Sequence, residues 1–296
     1  MFDAISKFSI IFSSILLEAL PFILIGAILS SVMQLFVTEE VIKKFIPKNR
    51  VLGSIVAAFL GVFMPVCECV TVPITKSLIQ KKVPVNVAIT YMLAAPIVSP
   101  LVIISTYIAF NGNLKIVILR VFIGVVIAII AGLLMIPLAG KGDILKNGES
   151  KFRCDCGCED IKNSGEPTII RLLKSTSVEF YDIAKYFIVA SGVAAIFQLN
   201  VTNEFLSSLG LNHISGIVIM MLVSFLISLC SEADAFVAQT FLGTFSLGGV
   251  MSFLIIGPMI DVKNISMLLA SFTKSFVIKL TFVIFTLVFI FTALIF

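Results

Sequence analysis

The sequence predicts an all-α, polytopic membrane protein with eight transmembrane helices, arranged as two tandem four-helix repeats with interrupted helices. Three observations predict it. Of 296 residues, 59% are hydrophobic and only 13% charged, whereas a soluble domain carries about 25% charged residues. The apolar residues fall in long runs, so lipid is the solvent for much of the chain. The second half also repeats landmarks of the first at a shift of 164 residues.

A spanning helix needs about 20 mostly apolar residues. Eight runs are candidates: 8–35, 51–67, 84–110, 115–138, 177–199, 214–231, 248–273 and 275–296. The runs 51–67 and 214–231 are short if they stop at the charged motifs that follow. The first run reads as retained and not as a cleaved signal. Only Lys7 precedes it, and no small-x-small site follows before Leu35. After it, Thr38 and Pro47 bracket a predicted interfacial helix. Residues 140–170 form the only long polar stretch, a predicted cytoplasmic linker between a first repeat (1–139) and a second (171–296).

The duplication rests on three matches in order. Gln34–Glu40 lies on Gln198–Glu204 with five of seven residues identical, Glu68 lies on Glu232, and a two-residue gap puts Pro96 on Pro258. Four spans per copy return the chain to its starting side. The copies are therefore expected to be parallel, related by an axis along the membrane normal. One re-entrant segment per copy would make the count odd and invert them. Lys/Arg counts place both termini and the linker inside, eleven against seven, with Arg120 among the outer charges. A net charge of +4 argues against nucleic acid. The expected partners are the lipid bilayer, a small-molecule or ion substrate and a second copy of the chain.

Three stretches carry candidate chemistry. Met64–Pro73 follows a short apolar run, holds two prolines and contains Glu68. Proline removes a backbone donor, and open backbone at membrane depth needs protein or water around it. An intramembrane carboxylate marks a functional site by default. Its repeat mate, Cys230–Phe236, carries Glu232 and Asp234, with no Lys or Arg between His213 and Lys263 to pair them locally. Glu68 and Glu232 are expected to face each other, and two close like charges do not both ionise readily, as a proton-coupled carrier requires. Pro96 and Pro100 interrupt the third run, and Pro258, Asp261 and Lys263 the seventh. Matched interruptions in two halves are the best sequence pointer to a transport site.

Cys67, Cys69 and Cys230 fall near these motifs, and thiolates favour a soft metal or metalloid. Cys154, Cys156 and Cys158 in the linker read as a soft-metal patch. They lack the four ligands of a closed zinc site. Enzyme motifs are thin: His213 is the single histidine, and no H-E-x-x-H or Gly-rich phosphate loop occurs. The features point to ion- or proton-coupled movement of a small solute. A membrane-embedded enzyme and a metal-sensing scaffold are the alternatives.

Pro65-x-Cys67-Glu68-Cys69-x-x-x-Pro73, Ala94-Ala95-Pro96-Ile97-Val98-x-Pro100 and Cys230-Ser231-Glu232-Ala233-Asp234-Ala235-Phe236 resemble the YraQ-type family of predicted permeases. That family is related to the ArsP permeases, which export trivalent organoarsenicals and share the Pro-x-Cys-x-Cys-x-x-x-Pro pattern. The resemblance covers nearly the whole chain. It implies a permease of a bacterial or archaeal plasma (inner) membrane. Glu68 stands where the arsenical exporters are expected to carry Ser, which makes this ligand set more anionic.

Overall fold

The computed structural model describes residues 2–36, 49–63, 68–139, 144–145, 168–200 and 213–296. The predicted interfacial helix near Pro47, Cys67 and the linker cysteines lie outside the described residues. Among the described residues the chain is helical throughout, with no strand beyond two isolated bridges. The first six helices are α1 (Phe2–Phe36), α2 (Arg50–Phe63), α3 (Glu68–Gln80), α4 (Val85–Val98), α5 (Pro100–Ala109) and α6 (Leu114–Ala139). The next six are α7 (Thr168–Asn200), α8 (His213–Ile227), α9 (Asp234–Thr240), α10 (Leu247–Met259), α11 (Val262–Ser271) and α12 (Lys274–Ile295).

Four stretches among the described residues are long and apolar enough to cross a membrane: Ser6–Val32, Leu114–Leu138, Leu247–Ser271 and Lys274–Ile295. A fifth is α4 with α5, if this pair, bent by 40°, is one span. The 14 residues of α2 and the 15 of α8 make rods of about 21–23 Å. Such rods fall short of a hydrocarbon core of about 30 Å. The large apolar side chains left exposed, Phe122, Ile278 and Phe282 among them, lie on these apolar helices, and surrounding lipid would cover them at no cost.

Packing fixes the direction of each helix. Asn86 donates from α4 to the Arg50 carbonyl (2.9 Å) and to Ser54 (3.0 Å) at the start of α2. At the other end Gly61 sits on the Ala95 backbone and Val98. Helices α2 and α4 are therefore parallel, and α3 runs the opposite way, joined to the start of α4 by a short turn. A side chain at Gly61 would strike that backbone, so glycine is what lets the two helices touch. Helix α6 is antiparallel to α4, with Gly124 against Ile97 and Gly132 against Asn86 and Thr90. In the second half Ser252 reaches the Ile217 carbonyl (3.3 Å) and Ser224 the Phe253 carbonyl (2.9 Å), so α8 and α10 are parallel.

The breaks have local causes. Ser99 precedes Pro100 and is extended (φ −55°, ψ 131°), because a following proline disfavours the helical region. Pro96 and Pro258 lie inside the last turns of α4 and α10, so the chain breaks just after them. Asp261 is extended and caps α11, its Oδ1 accepting from the Asn264 N–H at 2.6 Å. Ser228, past the end of α8, has φ +52°, a conformation that costs a non-glycine residue about 1–3 kcal/mol. Its hydroxyl accepts from the Val262 N–H at 3.1 Å, tying it to the other break.

Candidate functional site

The helix ends and breaks converge on one buried polar cluster. Glu68 opens α3 and is 1% exposed. Its Oε2 accepts from the Ser231 hydroxyl at 2.8 Å, and its Oε1 has no hydrogen-bond partner. The expected Glu68–Glu232 confrontation is thus a Glu68–Ser231 contact. Glu232 is half-buried and accepts from the Cys230 thiol at 3.0 Å. The buried acid of that motif is Asp234, at the start of α9 and 1% exposed, with its Oδ2 unbonded. Gly257 passes so near that a Cβ there would lie 2.5 Å from Asp234 Oδ2.

Two cations compensate these acids. Lys263 pairs with Asp261 at 3.8 Å, both buried, and lies 5.8 Å from the Phe187 ring centre. Its ammonium also feels Glu68, Cys69 and Cys230, which gathers these predicted residues around one charge. The second cation is Arg120, which sequence reasoning placed outside the membrane. It is 1% exposed. It donates from Nη1 to Thr106 Oγ1 (2.6 Å) and from Nη2 to the Ser231 carbonyl (3.4 Å), and feels Asp234, Glu232 and Glu68. The signal was available: Arg120 sits in the apolar run Leu114–Leu138, and an ionisable residue inside such a run is a site candidate.

Pro96 and Pro258 are buried beside the breaks, whereas Pro100 is exposed. Cys69 is buried and Cys230 half-buried, neither in a disulfide. Among the described residues no three His, Cys, Asp or Glu side chains group as a metal site. What the cluster offers is several carboxylates and two cations away from water, joined across the two halves by hydroxyl and carbonyl groups. Such a set can hold a charged solute or pass a proton between acids.

Residues 4–296 match the predicted permease family ArsP_1, and the chain belongs to it. It is 40% identical over 270 residues to "UPF0718 protein YcgR" of Bacillus subtilis (strain 168), covering 91% of this chain and 90% of that one. It is 39% identical over 269 residues to the "Putative two-component membrane permease complex subunit" of Streptococcus mutans serotype c (strain ATCC 700610 / UA159), covering 91% and 88%. No solved structure gives a significant match.

Proposed function

From membership of a predicted permease family, we propose that the chain is a carrier and not an enzyme, moving a small solute through the buried cluster at the helix breaks. The observation that carries this reading is Glu68, a carboxylate 1% exposed at the start of a proline-containing helix and held by a serine of the other half. Burying charge in lipid is costly and is kept where a solute or ion must pass. The order of helix lengths also supports two tandem copies: 35, 14, 13, 14, 10 and 26 residues, then 33, 15, 7, 13, 10 and 22.

In this reading Glu68, Asp234 and Asp261 carry the coupling proton or ion, with Glu232 at the edge of the cluster. Cys69 and Cys230, with Cys67, bind a soft metal or metalloid for efflux. Cys154, Cys156 and Cys158 collect it at the cytoplasmic face of the plasma membrane. The name of the Streptococcus mutans relative suggests a second membrane subunit as a partner, beside a homo-oligomer.

The test is flux in proteoliposomes, with a trivalent organoarsenical and Zn²⁺ as probes. The expected result is flux in the wild type that Glu68→Gln and Asp234→Asn abolish and Cys69→Ser reduces. Wild-type flux in both carboxylate variants would remove them from the pathway. Absence of flux for both probes in the wild type would remove the soft-metal assignment.

A further inference from the structure

We infer that the two halves are inserted upside down relative to each other, that each is three crossings plus one re-entrant hairpin, and that the linker faces the cytoplasm while both ends of the chain face outside. Helices α2 and α4 start side by side and end side by side, and α3, joined to the start of α4 by a short turn, runs the opposite way. The pair α2–α3 therefore enters and leaves by one face, with Glu68 near its tip. The bent pair α4–α5 then goes through to the other face, and α6 returns along α4. Helix α1 is parallel to α3, Gly26 lying on Val70 and Ser30 3.4 Å from Ser77. The first half thus crosses three times, an odd number, and its end lies opposite its start.

The second half continues this path. The Thr273 N–H reaches the Ile144 carbonyl (3.0 Å) and Lys279 Nζ the Leu138 carbonyl (3.0 Å). The turn between α11 and α12 therefore lies on the face where α6 ends. At the other end Gly248 opens α10 beside Phe296 and His213, which puts the start of α8, the start of α10 and the end of α12 together on the far face. Helices α1 and α7 pack side by side, Phe12 near the start of α1 lying by Gly192 near the end of α7, as antiparallel mates would. The hairpin α2–α3 enters from the linker face and the chain from α8 to α9 from the far face. Glu68 and Ser231 are where the two tips meet.

Charge then fixes the orientation. On this path the linker face takes sixteen of the twenty-one Lys and Arg: seven from Lys43 to Lys82, seven from Lys141 to Lys174, and Lys274 and Lys279. The far face takes Lys7 and Lys115, and Arg120, Lys185 and Lys263 lie at membrane depth. Eight parallel spans give a much weaker eleven to seven, with Arg120 counted outside and Lys185, Lys263 and Lys279 left out. An excess of Lys and Arg marks the cytoplasmic side, so the linker face is inside.

The test is labelling by a membrane-impermeant maleimide in intact and permeabilised cells, which needs no flux and so stands apart from the carrier reading. Thr244, in an exposed turn, and Lys274, the exposed first residue of α12, separate the two topologies; Asn113 and Lys82 are outside and inside in both and serve as controls. With the six native cysteines replaced by serine, Thr244→Cys is expected to label in intact cells and Lys274→Cys only after permeabilisation. The reverse pattern, or both on one side, overturns the inference. If the cysteine-free protein fails to insert, the same two variants in the native background, read by mass spectrometry of the labelled peptides, give the same decision.

Discussion

Ser231 holds Glu68 across the middle of the molecule: its hydroxyl donates a 2.8 Å hydrogen bond to Oε2 of a carboxylate 163 residues earlier. The other oxygen of that carboxylate has no hydrogen-bond partner. One hydroxyl therefore joins the two halves at the point where helices α3 and α9 begin.

Ser231→Ala is expected to leave both oxygens of a buried acid unbonded. Losing one partner of a buried polar group costs about 1–3 kcal/mol. The loss appears as a lower unfolding temperature of the detergent-solubilised protein, and Ser231→Thr, which keeps the hydroxyl, recovers most of it. Equal unfolding temperatures for Ser231→Ala and wild type would mean that this bond carries no stability.

Arg120→Met is expected to be among the most damaging single substitutions. It removes a buried cation that feels Asp234, Glu232 and Glu68 and donates to Thr106 and the Ser231 carbonyl. Breaking a buried charge pair from one side costs about 3–5 kcal/mol, because the remaining charge stays uncompensated. Adding Asp234→Asn is expected to restore part of the stability. Arg120→Lys is expected to restore less than a charge-only role would, since one ammonium cannot span both acceptors in the guanidinium's fork geometry. Thermal unfolding of the four proteins checks the order.

The acids of the site were legible because an ionisable group beside an apolar run has little reason to be there except use. Glu68, Asp234, Asp261 and Lys263 all follow that rule and all are buried. Arg120 follows it too, but six residues into a run it reads as a loop charge near the surface. Its neighbours Thr106 and Ser231 come from other helices, out of reach of any local pattern. Between Glu232 and Asp234, two positions apart, periodicity does not say which turns inward; the backbone turn at Ser231–Ala233 decides for Asp234. Composition likewise finds apolar runs but not their direction. A 14-residue rod such as α2 looks the same entering a membrane as crossing it, and only its neighbours, Asn86 at one end and Ala95 at the other, distinguish the two.

Asp261 has two tasks, capping α11 through Oδ1 and pairing with Lys263 through Oδ2 at 3.8 Å. Asp261→Asn keeps a cap acceptor and removes the charge, so its effect isolates the pair. It is expected to destabilise wild type more than it destabilises Lys263→Met, with a coupling of about 0.5–3 kcal/mol in a double-mutant cycle. Additive losses would mean that Lys263 is held by Glu68 and the Phe187 ring instead.

Gly257→Ala tests whether the position of Asp234 matters as well as its charge. The new methyl would lie 2.5 Å from Asp234 Oδ2 and 2.8 Å from Ser224 Oγ, so the acid must move or α8 and α10 must part. Overpacking of this kind costs about 1–3 kcal/mol. Gly192→Ala, whose nearest neighbour would be a Phe12 carbon 4.0 Å away, is expected to be neutral or slightly stabilising, since alanine favours a helix over glycine by about 1 kcal/mol. Pairing Gly257→Ala with Asp234→Ala removes the obstacle. If displacement of the carboxylate is the cause, Gly257→Ala costs little further stability once Asp234→Ala has been made, as a double-mutant cycle reads it. If the clash with Ser224 dominates, Gly257→Ala costs as much in the Asp234→Ala background as in the wild type, and Gly257→Ala with Ser224→Ala recovers instead.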